Sequence, residues 1–365
     1  MQADNPLPWT DRHWDELRAV ALEAARKSRV ASTFLPLVGP FPADQATVPS
    51  NWVQIPAQAP LVAGQADNRL EVSAGRTLQL VTLACNLYLR GSEVSDPDLD
   101  AAKTMVRRAG EVLGRLEDAV VFRGVTPEGQ PHFGTFTVEP PIYTITGGRN
   151  LTGLLQAADA LVVAEAAPNG APQALVDIRD ASINLVRAQQ QAGAAQGLAN
   201  VENAYQAAED AGIDRLMCIR LPNEKGGQLV RGVVDSIQRL EERGHFGPFA
   251  VVLGRDLFRI ATTPTKSLVL PTDRLAEFLD GRRVLRSGVL PPNRGLVVAL
   301  GGQPIELVLA SDIDVRFLQA TLEPRYVLRV FERLVLRIKE LGAVCCITTE
   351  DRRLDPTVIA RWART

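Results

Sequence analysis

Gly244-His245-Phe246-Gly247-Pro248-Phe249-Ala250-Val251-Val252-Leu253 is the stretch on which the reading of the fold turns. Gly247-Pro248 is a turn signal, and His245 just before it reads as a structural residue. Phe249 to Leu253 is a short apolar run, the pattern of a buried strand. A second stretch, Leu116-Glu117-Asp118-Ala119-Val120-Val121-Phe122-Arg123-Gly124, closes a long helix. That helix is expected to start at Asp96, with Pro97 in the first helical position. Leu99, Met105, Val106, Val112, Leu113 and Leu116 form its apolar stripe.

Outward from these two stretches, Thr10 to Arg29 reads as a helix capped by Thr10 or Asp11, with Trp14, Leu17, Ala21, Ala24 and Ala25 at helical spacing. Gly39-Pro40 is a turn, and Pro42 to Gly64, rich in Pro, Gln and Ala, reads as an extended arm or loop. Arg69 to Leu89 is expected to be a strand leading into a helix. Gly124 to Gly148 reads as loop and short strand, and Thr152 to Ala166 fits either helix or strand. Pro172 to Gln191, Asn200 to Ala211 and Gly227 to Arg243 are expected helices. Leu216 to Leu221 reads as a strand, and Leu268 to Leu270 as a further one. Leu296 to Leu300, Ile305 to Leu309 and Tyr326 to Ile338 form a strand-rich C-terminal section, followed by a polar tail from Thr348. Leu175, Val176, Ser182 and Ile183 echo Leu229, Val230, Ser236 and Ile237, which is either a duplication or the resemblance of two amphipathic helices.

Composition bounds the function. The chain has 365 residues, 46% hydrophobic and 22% charged, ordinary for a globular protein with two or three lobes. A formal net charge of −2 gives no reason to expect nucleic acid or an anionic membrane as partner. Only five of the 40 basic residues are lysine; either a preference for planar bidentate Arg contacts or codon bias accounts for the skew. Met1 to Pro8 lacks the apolar core of a signal peptide, and no apolar run is long enough to span a bilayer, so a cytoplasmic location is expected.

The search for chemistry leaves little. His13, His132 and His245 have no ligand-spaced neighbours, and the four cysteines, Cys85, Cys218, Cys345 and Cys346, show no CxxC spacing. The vicinal pair reads as buried free thiols. No nucleophile elbow, phosphate loop or dinucleotide fingerprint is present; Gly147-Gly148 and Gly301-Gly302 read as turns. Adjacent helical residues diverge by about 100 degrees, so neither Glu117-Asp118 nor Glu241-Glu242 is an acid–base pair by itself. No cofactor, metal or catalytic role is expected. The one enzymatic alternative would use Tyr205, Glu209, Asp210, Asp214, Arg215 and Cys218 in an inserted lobe.

Four stretches, in order, resemble encapsulins of the linocin-like family. Trp14 through Arg29 to Gly39-Pro40 is similar to that family's internal helix and following turn. The run ending at Phe122-Arg123-Gly124 resembles its Glu-Asp-x-x-Ile-Phe-x-Gly motif, and Gly247-Pro248-Phe249-Ala250-Val251-Val252 its Gly-Pro-Tyr-x-Leu-Val motif. Tyr326 to Cys346 resembles its closing strand. The resemblance implies an α+β fold of the tailed-phage capsid type (HK97-like), assembled as a homo-oligomeric icosahedral shell around a cargo enzyme such as a peroxidase or ferritin-like protein. It implies an N-terminal helix and arm over residues 1–47, an extended loop over 48–77 and a peripheral domain over 78–124 and 296–347. An axial domain would span 125–295, with a tail over 348–365. Glu117, Asp118, Phe122, Gly124, Gly247 and Pro248 are then the structural motif residues.

The chain departs from that pattern in two places. The interval from Gly124 to Gly247 is long, which suggests additions near 126–148 and 193–225. Many members carry a basic and an acidic residue before the Gly-Pro turn, where Ser32 and Pro36 stand here. An apolar cargo-docking surface from Ala25, Val30, Phe34 and Leu35 is one reading of that corner, and plain core packing is the other. A phage or prophage-derived capsid protein with the same fold is the competing identity.

Overall fold

The computed structural model describes residues 7–42, 45–54, 71–131, 137–158, 218–221, 226–264, 269–321 and 325–349. The chain divides into two compact units: residues 1–154 with 302–340, and residues 155–301 with 341–365.

The first unit contains helices α1 (Asp11–Ser28), α2 (Ala31–Phe34), α3 (Gly91–Val94) and α4 (Asp100–Arg123). Its strands are β1 (Leu37–Val38), β2 (Thr47–Gln54), β3 (Glu71–Gln79), β4 (Val81–Arg90), β5 (Tyr143–Thr146), β10 (Ile305–Ala320) and β11 (Arg325–Ile338). Period-two alternation organises the unit: Leu328, Val330, Leu334, Leu336 and Ile338 of β11 are buried on one face, while Arg329, Arg333 and Arg337 alternate with them. The sheet runs β1-β10-β11-β4-β5, parallel only between β1 and β10. Strands β2 and β3 pair antiparallel as a separate ribbon, from Thr47 opposite Gln79 to Gln54 opposite Glu71. The arginines beside the ribbon pin its root: Arg333 Nη2 donates to the Gln45 carbonyl at 2.7 Å, and Arg337 Nη1 to the Pro49 carbonyl at 3.2 Å.

Helix α1 lies along α4 because both present small residues at the crossing. A Cβ on Gly110 would sit 2.4 Å from the Ala21 carbonyl oxygen, and one on Gly114 would sit 2.3 Å from Ser28 Oγ. Ala21 and Ala25 are fully buried in that seam, so the two backbones approach more closely than larger side chains allow.

The second unit contains β6 (Cys218–Arg220), α5 (Gly226–Glu242), β7 (Phe249–Leu253), α6 (Arg255–Ala261), α7 (Pro271–Ala276), β8 (Leu285–Arg286), β9 (Arg294–Ala299) and β12 (Val344–Thr348). Its sheet runs β6-β12-β9-β7-β8, with β6 and β8 parallel to their neighbours and the inner pairs antiparallel. Every residue of β7, β9 and β12 is buried, which is why these strands read as continuous apolar runs rather than alternating ones.

Several expectations need correction. Helix α4 begins at Asp100, not at Pro97: Leu99 takes a left-handed conformation (φ 55°). Asp96 still caps, its carboxylate accepting the Asp98 and Asp100 N–H groups at 3.1 and 3.0 Å. The segment expected to turn helical before Leu89 is strand through Arg90, because β4 is paired on both sides, by β11 and β5. Leu268–Leu270 does not yield a strand at its described end; Leu270 instead caps α7, with Pro271 at its first position. β10 runs on well past Leu309, through bulges that keep it paired with β11 to Ala320. The expected helices at 172–191 and 200–211 lie outside the described residues, as does the tail beyond Thr349.

Candidate functional site

The corner between α1 and α2 is where the quoted Glu117-Asp118 pair acts. Helix α1 is apolar on one side, with Trp14, Leu17, Ala21, Ala24 and Ala25 buried. At its start the Thr10 N–H donates to His13 Nδ1 at 3.3 Å, which gives His13 a local capping role. Arg29 ends the helix, its N–H bonded to the Ala25 carbonyl at 2.9 Å.

The chain then turns, and the exposed N–H groups of the turn are taken by α4. Asp118 Oδ1 accepts the Val30 and Ala31 N–H groups, both at 2.8 Å. Glu117 Oε1 accepts the Ser32 N–H at 3.2 Å, and its Oε2 accepts Arg29 Nη1 at 3.3 Å. This answers what two adjacent acids do inside an apolar helix end: they cap a neighbouring turn rather than face solvent.

The same guanidinium reaches the sheet. Arg29 Nη1 lies 3.1 Å from Asp312 Oδ1 on β10 and 3.5 Å from Glu332 Oε1 on β11. Glu117, Asp118 and Glu332 are 0%, 1% and 0% exposed. Among the described residues, neither oxygen of Glu332 meets a donor at hydrogen-bond geometry, and its carboxyl and that of Glu117 flank the same Arg29 Nη1. Burial raises the pKa of Glu117, against the pull of Arg29 and the Ser32 side chain. Burial and the Glu117 charge push Asp118 well up, against the N–H groups of Ala31 and Val30. Burial and Glu117 likewise push Glu332 well above the ordinary carboxylate range. Burial works against the charge on Arg29, but Glu117, Asp312 and Glu332 outweigh it, so its pKa rises.

The four apolar residues of the corner are placed unevenly. Ala25, Phe34 and Leu35 are buried, with Phe34 stacked on Phe122 at 6.4 Å between ring centres, and Val30 is half-buried. Gly124 ends α4 with φ 70°, and its N–H bonds to the Val120 carbonyl at 2.9 Å. In the second unit, the Pro248 carbonyl accepts the Leu300 N–H at 2.9 Å. The Gly247-Pro248 turn lies against Gly301, where a Cβ would come within 2.5 Å of the Phe246 oxygen. Gly301 is therefore an element of packing. Cys85, Cys345 and Cys346 are buried and in no disulfide, with burial pushing the Cys85 thiol up to about 12 and that of Cys345 up to about 11, which disfavours the nucleophilic thiolate. Among the described residues, no group of three His, Cys, Asp or Glu is placed to hold a metal ion, and no helix is long and apolar enough to cross a membrane.

Reading residue types in order missed Arg29, Asp312 and Glu332. A signal for Glu332 was present: on a period-two reading it shares the face of Leu328, Val330 and Leu334, the wrong side for a solvated acid. Arg29 and Asp312 gave no such signal, because a charge at a helix end or in a bulge is usually solvated.

Residues 177–335 match the family model described as the encapsulating protein for peroxidase. Over 119 residues the chain is 33% identical to the type 1 encapsulin shell protein EncA of Myxococcus xanthus (strain DK1622), a match covering 32% of this chain. The chain thus spans 40% of the length of the curated relative it matches. The virus-like particle from Pyrococcus furiosus shares the fold at a TM-score of 0.55 and 12% identity, over 92% of this chain and 99% of that one. The capsid of an empty GTA particle follows at a TM-score of 0.50 and 12% identity, over 89% and 90% of the two chains. The fold is therefore the capsid fold expected from the four stretches. The family match contains the Gly247-Pro248 stretch and the first part of the closing strand; the α1 and Glu117-Asp118 stretches lie outside it.

Proposed function

We propose, for a chain that carries the capsid fold and the encapsulin family match, that it is the self-assembling shell protein of an icosahedral nanocompartment enclosing a cargo enzyme. The observation that carries this reading is the fold correspondence with a virus-like particle subunit, which runs through nearly the whole of both chains. The family match in residues 177–335 favours a compartment shell over a phage capsid. We read the first unit as the peripheral domain, the β2–β3 ribbon as the base of the extended loop and the second unit as the axial domain. A ribbon fixed at its root by Arg333 and Arg337 suits an arm that bonds to a neighbouring subunit through its free backbone edges. The additions near 126–148 and 193–225 would set the lattice or pore. The shell would lie in the cytoplasm and need no cofactor.

Cargo, a peroxidase or ferritin-like protein, would dock by a short peptide at the α1–α2 corner, over Val30 and above Ala25, Phe34 and Leu35. Size-exclusion chromatography and electron microscopy of the full-length protein test the shell. Megadalton, uniform hollow spheres are expected, and a monodisperse monomer or dimer sinks the reading. Cargo is tested separately: Val30→Glu is expected to empty the particles without disassembling them, measured by the protein that co-purifies.

A further inference from the structure

We propose that Glu117 and Glu332 hold one proton between them, and that this proton latches the α1–α2 corner to the sheet, so that alkali opens it. Two carboxyls without solvent exposure, Glu117 and Glu332, lie 3.3 and 3.5 Å from the same guanidinium nitrogen, and Asp118 is buried beside Glu117. Asp118 has two backbone donors and Glu117 has a backbone donor and Arg29, but among the described residues Glu332 has no partner at hydrogen-bond geometry, only the longer 3.5 Å approach of Arg29. Two acceptors facing one another in an apolar core are stable only with a proton between them, because an unpaired buried anion is far costlier than a neutral acid.

Among the described residues, Arg29 is the cation paired with these acids. The end of α1 contributes Arg29, and α2 contributes Ser32, whose N–H bonds to Glu117. From α4 come Glu117 and Asp118, from β10 Asp312, and from β11 Glu332. On β4 the residue paired with Glu332 is Leu83, which is apolar. Asp312 is 43% exposed and can be screened by water, so the surplus negative charge falls on the Glu117–Glu332 pair.

The direction with pH follows from linkage. In the unfolded chain both acids ionise at ordinary carboxylate pH; in the folded chain the pair keeps its proton to higher pH. Between those two limits the folded state binds more protons, so stability falls as pH rises. The latch is whole below the ordinary carboxylate range and is lost as pH climbs through the raised folded value. When the proton leaves for solvent, two buried anions repel across the joint between α4 and β11, and Arg29 can neutralise only one.

Infrared difference spectroscopy and thermal unfolding of the full-length protein against pH test this. Both report on the folded chain whether or not it forms particles, so failure of the shell reading leaves them interpretable. The wild type is expected to show a protonated-carboxyl band at neutral pH. That band should vanish on alkalinisation together with a fall in Tm whose slope corresponds to about one proton. Glu332→Gln should lose the band and hold Tm level across that window, while Asp118→Asn keeps the band. A wild type without the band at neutral pH, or a Glu332→Gln protein whose Tm falls in parallel with the wild type, overturns the proposal. Should Glu332→Gln fail to fold, the band in the wild type and in Asp118→Asn decides alone: present in both supports it, and lost in Asp118→Asn overturns it.

Discussion

The turn that follows α1 in the first unit and the turn that precedes β7 in the second each bring the chain against a longer element, but different forces hold them. At the α1–α2 corner, Asp118 and Glu117 take three backbone N–H groups, and Arg29 ties them to two strands. At Gly247-Pro248, the seat is one backbone hydrogen bond to Leu300 and the bare backbone of Gly301, with the five buried residues of β7 behind it. The polar joint is specific and conditional on protonation. The apolar joint depends on burial. Two stretches that look equally motif-like in sequence thus differ in what would undo them.

The comparison can be broken most forcefully at Arg29. Arg29→Ala leaves the buried acids without a cation and is expected to cost about 3–5 kcal/mol, the range for uncovering one side of a buried ion pair. Urea unfolding would measure it, and a loss below the range of ordinary surface substitutions would mean that the acids are already neutral. Next comes Leu253→Ala, which empties a fully buried site on β7 and is expected to cost about 2–5 kcal/mol. Its Tm should run parallel to the wild type across pH, since it removes only apolar contact; a changed pH slope would erase the contrast between the joints.

A smaller effect is expected at Gly114. Gly114→Ala gains helix propensity in α4 but drives a methyl against Ser28 Oγ and the Ala25 carbonyl. Overpacking should win, with a net loss of about 1–3 kcal/mol and earlier proteolysis at the α1–α2 corner than elsewhere. The smallest is Lys27→Ala, which removes an exposed pair with Glu23 at 2.6 Å. No resolvable change in Tm is expected, because solvent screens such a pair; a clear loss would show that α1 depends on surface charge as well as on its buried seam.

Much of the fold was legible before any coordinates. The alternation in Tyr326–Ile338, the apolar run Phe249–Leu253 and the stripe ending at Leu116 each carry their period on their face, and each became the element expected. What failed was local in cause. Arg69 to Leu89 alternates only in places, and it is pairing with β11 and β5 that keeps Val81–Arg90 a strand to its end. Leu99 is a good helix former, yet the carboxylate of Asp96 reaches past it to the Asp100 N–H and leaves Leu99 left-handed. At the corner, Glu117 and Asp118 were visible as a motif, whereas their partners were not: Arg29 is 88 residues from Glu117 in the chain, and Asp312 is 283 from Arg29.

Periodicity and turn chemistry alone, then, determined the helices and strands that bury a face, the two Gly-Pro corners and the absence of motifs for metal or nucleophilic chemistry. These depend on neighbours a few residues away, and a single chain displays them directly. The tertiary structure alone decided that one arginine is shared by three carboxylates from α4, β10 and β11, with Glu332 held by the longest of the three contacts. A buried charge takes its meaning from every group within a few ångströms, and those groups come together only when distant segments fold onto one another.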